Sequence, residues 1–140
     1  MMAGPEANLW AAVRRNMPKD CMANRIENRS GGGIPDVHML LESMPVWIEL
    51  KVAKFRRLTL SPHQIAWHTA YNARKGLSFF LVKDPSSGLF YLFPGMMAVD
   101  LQANPVDQVQ GSRFEDLGSM FCALRAALRD HYDGLLRPAR

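Results

Sequence analysis

Three side chains between positions 36 and 51 have the types and spacing to hold a divalent cation beside a phosphate: Asp36, Glu49 and Lys51. From Val46 to Ala53 the residues alternate, with Val46, Ile48, Leu50 and Val52 on one parity and Trp47, Glu49, Lys51 and Ala53 on the other. Period 2 in a Val/Ile-rich run reads as a strand, so Glu49 and Lys51 project together from the side opposite the apolar one. The preceding run alternates as well, Val37, Met39 and Leu41 against Asp36, His38 and Leu40. A hairpin tip at Glu42-Ser43 sets Asp36 directly across from Glu49, with Cβ atoms roughly 5 Å apart. A turn over Ser30–Gly33 brings Glu27 across from Asp36 on its other flank.

Carboxylates crowded on one sheet face repel each other, and without a partner one of them must take up a proton. A divalent cation removes the conflict. Hard oxygen ligands suit Mg²⁺, with Mn²⁺ able to take its place, because Mg²⁺ binds through one or two carboxylates plus waters and substrate phosphate. The ammonium of Lys51 next to that ion completes an arrangement for metal-assisted phosphodiester hydrolysis. Its task would be to orient or activate the attacking water and offset developing charge.

The elements that must position these groups follow from periodicity and punctuation. Pro5–Asn16 reads as a helix with Leu9, Trp10 and Val13 on its apolar side, ended by Met17-Pro18. Cys21–Arg29 reads as a strand, followed by the Gly-rich turn, the hairpin and a basic connector at Lys54–Leu58. Ser61 caps a second helix that starts at Pro62 and stops at Lys75-Gly76, and Ser61 with Gln64 forms a capping box. Leu77–Lys83 is an apolar strand, Asp84–Gly88 a turn and Leu89–Phe93 a returning strand. Met96–Leu101 fits either an edge strand or a helical turn, and Gln102–Gly111 a loop. Ser112–Leu136 carries Phe114, Leu117, Phe121, Leu124 and Leu128 at helical intervals, with Gly118-Ser119 able to divide it. The predicted order is helix, three strands, helix, strand: an α/β fold with a mixed sheet, extended by a C-terminal hairpin and helix.

Gly33-Ile34-Pro35-Asp36, Ile48-Glu49-Leu50-Lys51 and the downstream Ser61-Pro62-His63-Gln64 resemble the signature of the PD-(D/E)xK nuclease superfamily. Within it they resemble the VRR-NUC and phage Holliday-junction-resolvase-like branch. The resemblance covers about residues 5–84 and implies a restriction-endonuclease-like αβββαβ core. It also implies the backbone carbonyl of Leu50 as a further metal ligand and Gln64 as a supporting residue of the site. The family carries another acidic residue upstream of the Pro-Asp pair, often on the first helix where Glu6 sits. The strand arithmetic points instead to Glu27, and the two stand as alternatives.

Other residues have plainer readings beside the functional one. Arg25, Arg29, Ser30, Lys54, Arg56, Arg57 and His63 surround the site in sequence and are candidates for phosphate contacts that position DNA. Singly, each of those charges reads as solvated surface. His38 projects with Asp36, while His68 and His131 read as structural or exposed. The triple glycine lacks the helix and Gly-Lys-Ser/Thr ending of a P-loop and reads as a tight turn that lets a DNA backbone come close. Trp47 and Trp67 read as core or interface. No HExxH or paired-cysteine pattern points to zinc.

A chain of 140 residues with 48% apolar content fits one globular domain, with the nuclease core followed by an extension over 85–140. The excess of 17 basic over 13 acidic residues favours a polyanionic partner. Cys21 and Cys122 lack companion spacing and read as free thiols of a reducing compartment. The N-terminus lacks the pattern of a signal peptide, and no apolar run approaches a membrane span. These features lead to the expectation of a cytoplasmic protein, in a bacterium or a phage-infected cell. The expected activity is that of a Mg²⁺-dependent DNA endonuclease, with a homodimeric Holliday junction resolvase preferred because symmetric cutting needs two active sites. Residues 89–136 are the expected dimer surface. The alternatives are a nuclease of non-branched DNA, a DNA-binding module of the same fold without chemistry, and a basic protein-interaction domain.

Overall fold

The computed structural model describes residues 4–26 and 32–136. Its centre is a six-stranded sheet in chain order, β1 (Cys21–Arg25), β2 (Val37–Leu41), β3 (Met44–Val52), β4 (Ser78–Asp84), β5 (Leu89–Pro94) and β6 (Ser112–Phe114). Every neighbouring pair is antiparallel except β3 and β4, which are parallel. A parallel pair needs a crossover, and α2 (Pro62–Ala73) supplies it. The helix–strand–strand–strand–helix–strand order read from periodicity is the order found, in a mixed α/β fold. The last third of the chain adds β5, β6, α3 (Ala98–Ala103) and α4 (Leu117–Leu136) to the same sheet. Among the described residues no helix is long and apolar enough to cross a membrane.

The alternation of β3 decides which face is which. Val46, Ile48 and Leu50 are buried with Val37, Met39, Leu41, Phe79 and Leu81 under α1 (Pro5–Asn16) and α4. Leu9 and Val13 fasten α1 there; burying each such side chain stabilises by about 1.5–3 kcal/mol. On the opposite face Phe80, Val82, Tyr91 and Phe93 pack with Leu58, Leu60, Leu101 and Val106 in a second core beneath α2 and α3. Both faces of the sheet are therefore covered, and Glu49, on the face opposite Ile48 and Leu50, is only 5% exposed.

The hairpin register is the one the Glu42-Ser43 tip requires: Leu41 pairs with Met44 and Val37 with Ile48, leaving Asp36 level with Glu49. The β1–β2 register differs from expectation by one residue. Arg25 pairs with Val37 and the Ile26 N–H donates to the Asp36 carbonyl at 2.7 Å, so Ile26, not Glu27, stands level with Asp36. The reason is burial. Cys21 and Ala23 pair with Leu41 and Met39 on the core face, and a one-residue slip would turn Met22 and Asn24 inward instead. Glu27, Arg29 and Ser30, with the end of the strand expected to reach Arg29, lie outside the described residues.

Of the two readings of Met96–Leu101 the helical one is found, a 3₁₀ turn at Gly95–Met97 running into α3. Ser112–Leu136 is not one helix: Ser112–Phe114 pairs with β5, and α4 begins at Leu117. Asp116 makes the break, because its carboxylate accepts from the Ser119 N–H at 2.7 Å and so caps the helix. That hydrogen bond holds the Asp116 carboxyl below its usual range. The stretch 89–136, expected as a dimer surface, places Leu117, Met120, Phe121, Leu124 and Leu128 in the chain's own core.

Candidate active site

Four elements converge on the C-terminal half of β3. Asp36 lies just before β2, and its Oδ1 accepts from the Leu50 N–H at 3.0 Å. That bond carries its carboxylate across to the strand beside Glu49. The Trp47 N–H donates to the Leu77 carbonyl just before β4, and the Ala53 N–H just past β3 to Lys83 of β4, so odd-numbered residues of β3 bond on that side and Leu50 bonds toward β2. N–H and C=O of one strand residue point to the same neighbour, so the Leu50 carbonyl also faces the side where Asp36 lies.

Glu49 is held from the other side by α2. The start of that helix has the chemistry read from its sequence: Ser61 Oγ accepts from the Gln64 N–H at 3.1 Å, and the Ser61 N–H donates to Gln64 Oε1 at 3.0 Å. The same amide also serves the site. Gln64 Nε2 donates to Glu49 Oε2 at 3.1 Å, and Lys51 Nζ donates to Gln64 Oε1 at 3.2 Å. Lys51 donates as well to the Thr59 carbonyl at 3.2 Å and stands 4.0 Å from Glu49 Oε2. The capping and functional readings of Gln64 are thus one arrangement, in which a single side chain fixes a helix start to a carboxylate and an ammonium.

Gly33 explains how the loop before Asp36 fits so close to that helix. Its φ is +77°, and a Cβ there would stand 2.1 Å from the His63 carbonyl oxygen. Only glycine allows both the backbone conformation and the approach. His63 itself is exposed at the helix start, with Lys54, Arg56 and Arg57 on the surface of the connector before it.

Burial dominates the electrostatics of the two carboxyls. Burial pushes the Glu49 carboxyl up to about 8, with the neighbouring Asp36 adding to the effect and Lys51 opposing it. Asp36 is also raised, first by burial, against the pull of the Leu50 N–H, Arg25 and Lys51. Glu49 Oε1 is buried and has no hydrogen-bond partner. Two desolvated carboxylates, one with an orphaned oxygen, and a main-chain carbonyl on the same side form a hard-oxygen donor set that fits a divalent cation such as Mg²⁺. Among the described residues no group of three or more His, Cys, Asp and Glu side chains is placed to hold a metal. Glu6, in the first turn of α1, is near enough for its charge to raise Glu49, a relation the strand arithmetic missed because it joins a helix to a strand.

Two neighbours had no clear signal in the sequence. His68, one turn beyond Gln64, is fully buried, 2.8 Å from Ser78 Oγ and packed on Phe80; burial pushes it down to about 4. It sets the level of α2 over the sheet, since Phe80 is the register partner of Glu49. Trp47 meets His38 and Trp67 edge to face, and Trp67 stacks on Tyr71, forming a half-buried aromatic row between β3 and α2.

Fold and site together define a mixed α/β protein whose central strand presents a Glu-x-Lys pair, tied by a helix-capping glutamine, to an Asp from the neighbouring strand. Comparison with protein-family models gives no match for the chain. Comparison with curated proteins gives none either. Among solved structures the chain is similar to Hjc, a Holliday junction resolvase from the archaeal hyperthermophile Archaeoglobus fulgidus. The identity is 20%, the likeness covers 66% of this chain and 74% of that one, and the TM-score is 0.46.

Proposed function

We propose that this protein is a metal-dependent DNA endonuclease of the PD-(D/E)xK type, with Asp36, Glu49 and the Leu50 carbonyl as ligands of a divalent cation. The observation that carries the reading is the buried, unpartnered Oε1 of Glu49, a residue level with Asp36 whose other oxygen stands 4.0 Å from the Lys51 ammonium. When bound, Mg²⁺ would supply the Lewis acid that polarises a phosphate oxygen and favours deprotonation of a water. The chain's own groups do the rest. Lys51, steadied by the Gln64 amide and the Thr59 carbonyl, aims its ammonium at the space beside Glu49, where it orients water and offsets charge developing on the phosphate. Gln64 also holds Glu49 Oε2, leaving Oε1 free for the ion. Glu6, in the first turn of α1 and near enough for its charge to raise Glu49, would join this set.

Branched DNA is the preferred substrate, on the strength of the sequence resemblance. A homodimer would provide the two active sites that symmetric junction cutting requires. Arg25, Lys54, Arg56, Arg57 and His63 would contact phosphates, and binding would then weaken steeply with salt. The test is cleavage of a four-way junction and a matched linear duplex in Mg²⁺ by wild type, Asp36→Asn and Lys51→Ala. Symmetric cutting of the junction by wild type alone supports the reading; equal cutting by all three proteins, or none by wild type, removes it.

A further inference from the structure

Lys54 to Arg57 forms a tight two-residue turn of its own. The Lys54 N–H donates to the Arg57 carbonyl at 2.9 Å and the Arg57 N–H to the Lys54 carbonyl at 3.0 Å. Its central residues, Phe55 and Arg56, have φ of 51° and 61°. Such turns normally take Asn or Gly at these positions, because other residues in the left-handed region are strained. Here the strained position holds a phenylalanine that is 86% exposed.

The rest of the turn is fixed. The Val106 N–H donates to the Arg56 carbonyl at 2.7 Å, Arg57 Nη1 donates to the Ala103 carbonyl at 3.2 Å, and Arg56 pairs with Asp107 at 3.2 Å. Leu58 beneath it is buried. The result is a braced tip that holds one aromatic ring in solvent among the cations Lys54, Arg56 and Arg57. Its position matters. The segment 54–60 runs from the end of β3 to the cap of α2, and both of its ends touch the site, through Lys51 and through Thr59 and Ser61. Phe55 is four positions from Lys51, a Cα separation of at most ~14 Å, the rise of about four base steps of duplex.

We propose that Phe55 is a nucleobase-stacking residue, a wedge that meets an unstacked base of branched DNA a few nucleotides from the cleaved phosphate. The inference rests on the endonuclease reading. A rigid aromatic ring framed by positive charge is the combination that binds exposed bases: the cations draw in the phosphates, and the ring offers a face to any base. Side chains inserted between base steps act in the same way at kinked duplexes. A fully paired, stacked duplex offers no such base, so the tip favours branch points over linear DNA.

The experiment compares wild type, Phe55→Ala and Phe55→Trp for binding, in Ca²⁺, to a four-way junction carrying 2-aminopurine at the crossover and to a paired linear duplex. Wild-type cleavage of the same junction in Mg²⁺ and the sedimentation coefficient of each protein are measured alongside. Phe55 is exposed, so its replacement leaves folding intact. The expected result is that Phe55→Ala loses about 5- to 150-fold in junction affinity, together with the 2-aminopurine signal. Phe55→Trp keeps both, and duplex binding is the same for all three. Equal junction binding by wild type and Phe55→Ala, while wild type still cuts, overturns the wedge and leaves the nuclease reading standing. Failure of wild type to bind or cut DNA overturns both. A sedimentation coefficient that changes in Phe55→Ala makes the tip a protein contact and also overturns the wedge.

Discussion

At the Glu42-Ser43 end of the β2–β3 ribbon, a half-buried carboxylate is met by protein cations: Glu42 pairs with both Arg125 and Arg129 of α4. At the other end of the same ribbon, Asp36 and Glu49 share one ammonium at 4.0 Å from Glu49, one guanidinium near Asp36, and an oxygen with no partner at all. The two ends have the same backbone pairing and opposite charge balance. The first sets two guanidiniums of the same chain on one carboxylate and ties a turn to a helix. The second holds two carboxyls that burial raises, with less opposing charge from the chain itself.

The difference is tested most severely by removing the groups proposed to act. Asp36→Asn and Lys51→Ala are expected to fold as wild type by circular dichroism and to lose at least about 10²–10³-fold in DNA cleavage. Next in size is the pH dependence of metal-free stability. The Glu49 carboxyl is raised from 4.5 to about 8, so the folded protein holds a proton there that the unfolded chain has released. Stability from this group is full below 4.5 and is lost as pH rises through about 8, a change on the order of a few kcal/mol. Thermal melts between pH 5 and 8.5 in a chelator should show that fall, and Glu49→Gln should flatten it. Gln64→Ala removes one arm of the capping box and costs about 1 kcal/mol, read as a lower Tm. Its loss of cleavage should be smaller than that of Lys51→Ala, since the ammonium remains. Smallest is Arg129→Ala at the far end, where the exposed ion pair is worth less than about 1 kcal/mol and cleavage should not change.

Much of this was legible because alternation and punctuation are local. The period-2 run around Glu49 fixed the face of every β3 residue, and Ser61, Pro62 and Gln64 marked the start of α2 to the residue. The Glu42-Ser43 tip was placed correctly although both residues take positive φ, at 50° and 65°. What was illegible depended on partners. The β1–β2 register is set by which of Cys21 and Met22 faces the core, and the turn beyond gives no such constraint. Phe114 falls at helical spacing from Leu117 and Phe121 by coincidence, and its pairing with Phe90 decides the matter; Asp116 was the signal that could have separated them. The charge of Glu6 acts on Glu49 across the gap from helix to sheet, which no spacing in the chain encodes. Phe55 was legible only as part of the basic connector Lys54–Leu58, and its exposure follows from the turn.

The central claim, that Asp36 and Glu49 together hold one divalent cation, is met most directly by calorimetric titration of Mg²⁺ at pH 7 in two buffers of different ionisation heat. With the Glu49 carboxyl raised to about 8, ion binding to wild type should displace protons. Glu49→Gln should release fewer and bind weakly, Asp36→Asn should bind weakly, and Arg129→Ala should match wild type. Undiminished binding by both site variants, or no binding by the wild-type protein, would contradict the account.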